Sequence, residues 1–191
     1  MQSACGATDL IAHQGVARVL LLPGWLNSGP DHWQSWWERH YGFQRVQQHD
    51  WERPLRGDWI TQLEDVLLES DQPAVLVAHS LGCQLVAAWA AVSRNTARVR
   101  AALLVAPGDP QSDRLRALLP SWSPPVLQRL PFTARLLASQ DDPYCSAERA
   151  RQFAQAWNAD WHDMGCAGHI NAESGLGLWP QGYALIQDWL A

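Results

Sequence analysis

Short aliphatic runs alternate along the chain with longer stretches in which apolar positions recur every three or four residues. Residues 17–22 and 101–106 are largely aliphatic, the pattern of strands buried on both faces, and 74–79 and 132–139 also read as strands. Shorter strand candidates lie at 44–48 and 158–164. Between them, 58–70 places Ile60, Leu63, Val66 and Leu67 on one helical face, and 82–93 and 146–157 are also helical, the latter capped by Ser146. Asp31 is placed to cap a helix running to about Tyr41, 112–119 reads as a short helix, and 181–190 as a closing one. Pro23-Gly24 and Pro107-Gly108 stop the first and fourth strands. Such alternation over about six strands predicts an α/β fold, a mostly parallel central sheet with helices on both faces. Residues 17–191 read as a single domain and 1–16 as a disordered or loosely attached leader.

The third strand ends abruptly at a serine. Residues 75–82 read Val-Leu-Val-Ala-His-Ser-Leu-Gly and run straight into a helical pattern. A small residue two positions before Ser80 and a glycine two after it suit a tight strand-to-helix turn that lifts one hydroxyl clear of the sheet. The usual pattern has glycine at both flanks, and Ala78 takes the first place here. A plain loop whose serine caps the next helix would leave the same trace, so partners must come from elsewhere in the chain.

Composition narrows the chemistry. The net charge is −5 without a basic cluster, which gives nucleic acid no footprint. All fourteen basic residues are arginine. Without lysine there is no Schiff base to a carbonyl and no phosphate-loop lysine. Cys5, Cys83, Cys145 and Cys166 form no Cys-x-x-Cys pair, so they read as reduced thiols. His32, His40, His49 and His162 lack metal-ligand spacing, and neither metal nor cofactor is expected. No apolar stretch is long enough to cross a bilayer, and no secretory signal precedes the first strand, so a cytoplasmic location is expected. Twelve tryptophans are the outlying number, and each is expected to pack in the core or line a pocket.

Parallel sheets present their chemistry at the carboxyl ends of the strands. There the pattern puts Gly24-Trp25, Ser80, Asp142 and His169, scattered in sequence but brought to one edge. The order Ser, Asp, His is that of α/β-hydrolases. A serine hydroxyl needs an imidazole to take its proton, and the imidazole needs a carboxylate to fix its tautomer. Asp142 is preferred to Asp141 because Pro143 holds the residue before it extended. Asp141 is expected to face solvent or cap the loop, and His79 to pack under the turn. The backbone N–H groups of Leu81 and Trp25 would form the oxyanion hole.

Pro23-Gly24-Trp25, the run Ser28-Gly29-Pro30-Asp31-His32-Trp33-Gln34, then His-Ser-Leu-Gly, Asp-Asp-Pro-Tyr and Gly-His-Ile-Asn together resemble the small serine hydrolases of the retinoblastoma-binding-protein-9/YdeN family. The resemblance extends from about Arg18 to the C-terminus. It implies a lidless α/β-hydrolase with Ser80, Asp142 and His169 as its triad, and it places residues 28–33 near the site mouth. Ala78 departs from the glycine often found there.

Residues 107–131, where larger relatives insert a cap, offer only one short helix and Trp122-Ser123-Pro124-Pro125. An open, shallow pocket follows, with Gly24, Asn27, Ser28, His32, Trp122 and Asn171 as candidate lining. The expected reaction is hydrolysis of a small or medium acyl ester, thioester or amide, with a small-molecule substrate and a monomer or homodimer as the assembly. Acyl transfer or lyase chemistry could use the same residues. A catalytically silent interaction module, using tryptophan as a binding surface, is the rival from another class.

Overall fold

The computed structural model describes residues 16–191, so Cys5 and residues 1–15 of the expected leader lie outside the described residues. Six parallel strands form one sheet: β1 (Arg18–Leu22), β2 (Gln44–Arg45), β3 (Ala74–His79), β4 (Val99–Val105), β5 (Thr133–Ala138) and β6 (Asp160–Asp163). Their spatial order is β2-β1-β3-β4-β5-β6, so the direction of winding reverses between β1 and β3. Alternate residues of each central strand enter different cores. Leu20, Leu76, Leu104 and Leu136 face α2 (Arg56–Leu68), α3 (Leu81–Ala90) and α4 (Ala147–Trp157). Leu21, Val77, Leu103 and Leu137 face α1 (Trp33–Tyr41) and the C-terminal segment beginning with α5 (Pro180–Ala184). Covering both faces is what lets the middle of each of these strands be apolar at successive positions.

Eight of the twelve tryptophans are buried: Trp33, Trp37, Trp59, Trp89, Trp122, Trp157, Trp179 and Trp189. Burial leaves each indole N–H in need of an acceptor. Trp37 donates to the Leu178 carbonyl, Trp59 to Asp50, Trp122 to Pro54 and Trp157 to Val126. The indoles thus fasten irregular segments to the core as well as fill it.

Several expected elements differ. Residues 112–119 form successive turns, not a helix, with Leu115 and Leu119 buried and their neighbours exposed. The i, i+4 leucine pair imitates a helical period, yet Pro110 and Pro120 bracket a segment too short to sustain one. The closing helix splits into α5 and a 3₁₀ turn over Gln187–Trp189. Tyr183, Ile186 and Trp189 face inward at a spacing of three, which suits 3₁₀ geometry better than α. Asn158, expected to open the last strand, ends α4 in a left-handed conformation (φ 55°). β2 stops at Arg45, although the Val46 N–H still reaches the Leu21 carbonyl at 2.9 Å.

The cap of α1 is His32, not Asp31. Its Nδ1 accepts from the Gln34 N–H at 3.1 Å, while Asp31 stays exposed. The His32 ring is buried beside Trp33 and His79, a setting that a carboxylate would find costly.

Candidate active site

Ser80 follows directly on β3 and holds φ 54°, ψ −118°, a conformation disfavoured for any residue with a Cβ. The turn closes because of two glycines. A Cβ on Gly82 would lie 2.2 Å from the Leu22 carbonyl oxygen, so only glycine lets α3 start against β1. A Cβ on Gly24 would lie 2.7 Å from the Ser80 Cβ and 3.2 Å from the Leu81 nitrogen. Gly24 is therefore required by its close approach to the elbow. Ala78 pairs with Leu22 inside the sheet and is fully buried, so a methyl group fits at that flank of the elbow.

The fold brings the three distant residues together. The Ser80 hydroxyl lies 2.9 Å from His169 Nε2 and donates to it. His169 Nδ1–H donates to Asp142, 2.8 Å from Oδ2 and 3.0 Å from Oδ1. Asp142 Oδ1 also accepts from the Tyr144 N–H at 2.8 Å, which orients the carboxylate after its strand end. The Asp142 and His169 side chains are almost buried, so the pair is shielded from competing water. The hydroxyl, imidazole and carboxylate stand in one line for proton transfer.

Asp141 caps the neighbouring loop. It accepts from the Ser139 hydroxyl at 2.6 Å and from the Gly168 N–H at 2.8 Å, and these two bonds in that order hold its carboxyl below the usual range. Cys83 points away from the elbow tip toward the Ala78 and Val105 carbonyls, and burial raises its thiol out of reach of ionisation.

His79 and His32 form a buried neutral pair beside His169. Their rings are 4.6 Å apart, and His79 lies 4.8 Å from His169. Burial, then Arg45 and His169, lower His32 to about 3. Burial, then His32 and His169, push His79 well below its ordinary value.

A cavity of about 250 Å³ opens over Ser80. Trp25, Asn27, His32, Leu81 and Asn171 of the expected residues border it. Ser28 and Trp122 do not. The Ser28 hydroxyl is buried and donates to Gln34 Oε1, and Trp122 is buried against Trp59 with its indole on Pro54. Gly24 lies behind the cavity wall, against Ser80 itself. Sequence reasoning missed Gly108, Leu115, Leu119 and Tyr144, which complete the apolar side. Gly108 was legible only as a strand stop, yet a Cβ there would sit 3.4 Å from Ser80 Oγ. The Tyr144 ring packs at a tilt beside His169, with ring centroids 4.5 Å apart.

A parallel sheet wound in this order, with a serine on a strained elbow after its third strand, defines an α/β-hydrolase. A family model described as serine hydrolase matches residues 19–188. Among solved structures, a protein described as a YdeN-like hydrolase from Pectobacterium atrosepticum is similar at TM-score 0.80 and 30% identity, covering 91% of this chain and 90% of that one. The ydeN gene product of B. subtilis is similar at TM-score 0.73 and 19% identity, over 91% and 98% of the two chains. Esterase RhEst1 from Rhodococcus sp. shares the fold at TM-score 0.64 and 14% identity, over 93% and 91%. No curated protein matches the chain in sequence. The chain belongs to the serine hydrolase family, among its YdeN-like members. Among the described residues, no helix is long and apolar enough to cross a membrane.

Proposed function

We propose that the protein hydrolyses small or medium acyl esters, thioesters or amides through an acyl intermediate on Ser80. The observation that carries this reading is the unbroken hydrogen-bond line from Ser80 through His169 to Asp142 at the base of a cavity. His169 takes the hydroxyl proton as Ser80 Oγ attacks the acyl carbon, then returns it to the departing alcohol, thiol or amine. Water, deprotonated by the same imidazole, attacks the acyl carbon and frees the acid and Ser80. Asp142 holds the imidazole in the required tautomer throughout.

The oxyanion would lie against the Leu81 and Trp25 backbone N–H groups. Leu81 is the first residue of α3, so its N–H has no acceptor within the helix. The close passage of Gly24 along the Leu81 nitrogen supports the second donor. Each such donor lowers the barrier by about 3 kcal/mol. A cavity of about 250 Å³ lies at the small end of ligand sites, which usually start at about 300 Å³, and this favours compact acyl groups. The three free thiols among the described residues fit a reducing compartment, and a cytoplasmic location belongs to this reading.

A fluorophosphonate should modify Ser80 stoichiometrically, and Ser80→Ala should abolish both labelling and turnover. An unlabelled, folded wild-type protein sinks the proposal. Among p-nitrophenyl esters, short and medium chains should be preferred. A preference for chains beyond about twelve carbons contradicts the pocket size.

A further inference from the structure

His169 sits between two residues in the left-handed region, Gly168 (φ 59°) and Ile170 (φ 46°). Glycine adopts this conformation freely, but a β-branched isoleucine resists it, so something must hold the loop there. Asp142 grips only the ring of His169. Two other side chains grip the backbone. The carbonyl of His169 accepts from His79 Nε2–H at 2.9 Å, and the carbonyl of Ile170 accepts from the Trp33 indole N–H at 2.8 Å. Ile170 is fully buried, and neither donor is more than 5% exposed.

We propose that His79 and Trp33 are positioning residues that clamp the backbone on either side of the proposed base and so aim its imidazole at the nucleophile. The inference rests on the Ser80–His169 chemistry proposed above. Its force lies in where the two donors are mounted. His79 is the last residue of β3, directly before Ser80, so the strand that places the nucleophile also holds the base. Trp33 opens α1, and that helix is locked to β3 by the Gln34 side-chain amide, which donates to the Val77 carbonyl at 3.0 Å. Ser28 in turn donates to Gln34 Oε1 at 2.7 Å. His32 packs against both clamp residues, with ring centroids 5.3 Å from Trp33 and 4.6 Å from His79. The run from Ser28 to Gln34 therefore works mainly from beneath the site, although His32 and Gly29 also touch the cavity. Burial keeps His79 neutral, which suits a ring whose Nε2 proton is committed to a carbonyl 2.9 Å away.

Three variants test the clamp. His79→Leu removes one donor at similar volume, Trp33→Phe removes the other and keeps an aromatic ring, and His79→Gln can return an N–H near the place of Nε2. Turnover of p-nitrophenyl butyrate and the second-order rate of fluorophosphonate labelling are measured for each, with urea unfolding as the control for folding. His79→Leu and Trp33→Phe should lower kcat and the labelling rate about 10- to 100-fold, the scale of a small misplacement of a reacting group, with KM within about twofold. His79→Gln should recover most of the loss. Should His79→Leu fail to fold, Trp33→Phe decides alone. Folded variants that label and turn over within twofold of wild type overturn the clamp while leaving the acyl-enzyme reading intact. Failure of the wild-type protein to label overturns both.

Discussion

Replacing Ser80 by glycine should make the protein more stable than replacing it by alanine, although both substitutions remove the nucleophile. Both also lose the hydroxyl bonded to His169. The Ser80 side chain does not cap α3, so no capping bond separates the two variants. They differ in the backbone. At φ 54°, ψ −118°, a residue with a Cβ carries roughly 1–3 kcal/mol of strain, and glycine carries little. Glycine also adds about 0.4–1 kcal/mol of conformational freedom to the unfolded chain, which offsets part of the relief. The net advantage of glycine is therefore about 1 kcal/mol, equivalent to about 2–4 °C in Tm for a chain of this size. Urea unfolding with matched m-values, or calorimetry, measures it. A Ser80→Gly protein no more stable than Ser80→Ala would show that the elbow stores no more strain than the roughly 0.4–1 kcal/mol that glycine's unfolded-state freedom offsets, and the account of a strained nucleophile would be wrong.

Gly24→Ala should lower kcat/KM about 100-fold, because its methyl group would press on the Ser80 Cβ from 2.7 Å, whereas Gly29→Ala, in open space, should change unfolding free energy by less than about 0.5 kcal/mol. Trp122→Phe removes one of two donors to the buried Pro54 carbonyl, which still accepts from the Ser121 hydroxyl, and should cost about 0.5–1.5 kcal/mol in urea unfolding, with kcat/KM within about twofold because Trp122 lies away from the cavity. Acid should destabilise the fold through its buried histidines. His32 titrates at about 3 when folded and near 6.5 when unfolded, so the unfolded chain binds the extra proton between those values. The contribution of neutral His32 is complete above about pH 6.5, is lost as pH falls, and stops changing near 3. His32→Asn keeps a capping oxygen for α1 and should flatten unfolding free energy against pH by about 1.4 kcal/mol per unit within that window. An unchanged slope means that His32 is not held neutral.

The central strands were legible because burial on both faces writes itself as largely aliphatic sequence, and the elbow because Ser80 and Gly82 sit where β3 ends against β1. Ser80, Asp142 and His169 could be picked out because parallel strands deliver their carboxyl ends to one edge. The pocket was harder. Ser28 and Trp122 read as pocket lining in sequence, yet each turns to a buried partner, Gln34 six residues on and Pro54 far back in the chain, and nothing in the local pattern announces either. Leu115 and Leu119 were legible as a helical pair, but their spacing serves a turn that lays both against the cavity. The clamp on His169 was hidden for the same reason. Residues 33 and 170 are remote in the chain, and the left-handed Ile170 is not a conformation that sequence favours.

The abundance of indoles has a practical corollary. Trp25 borders the cavity, while Trp33 lies beneath the histidine loop. The chain therefore holds native fluorophores at the rim and underside of its chemistry, each tied by its N–H to an identifiable carbonyl, Glu52 for the first and Ile170 for the second. Emission from single-tryptophan derivatives can report entry of a ligand at the rim separately from loosening of the loop below, without any attached dye.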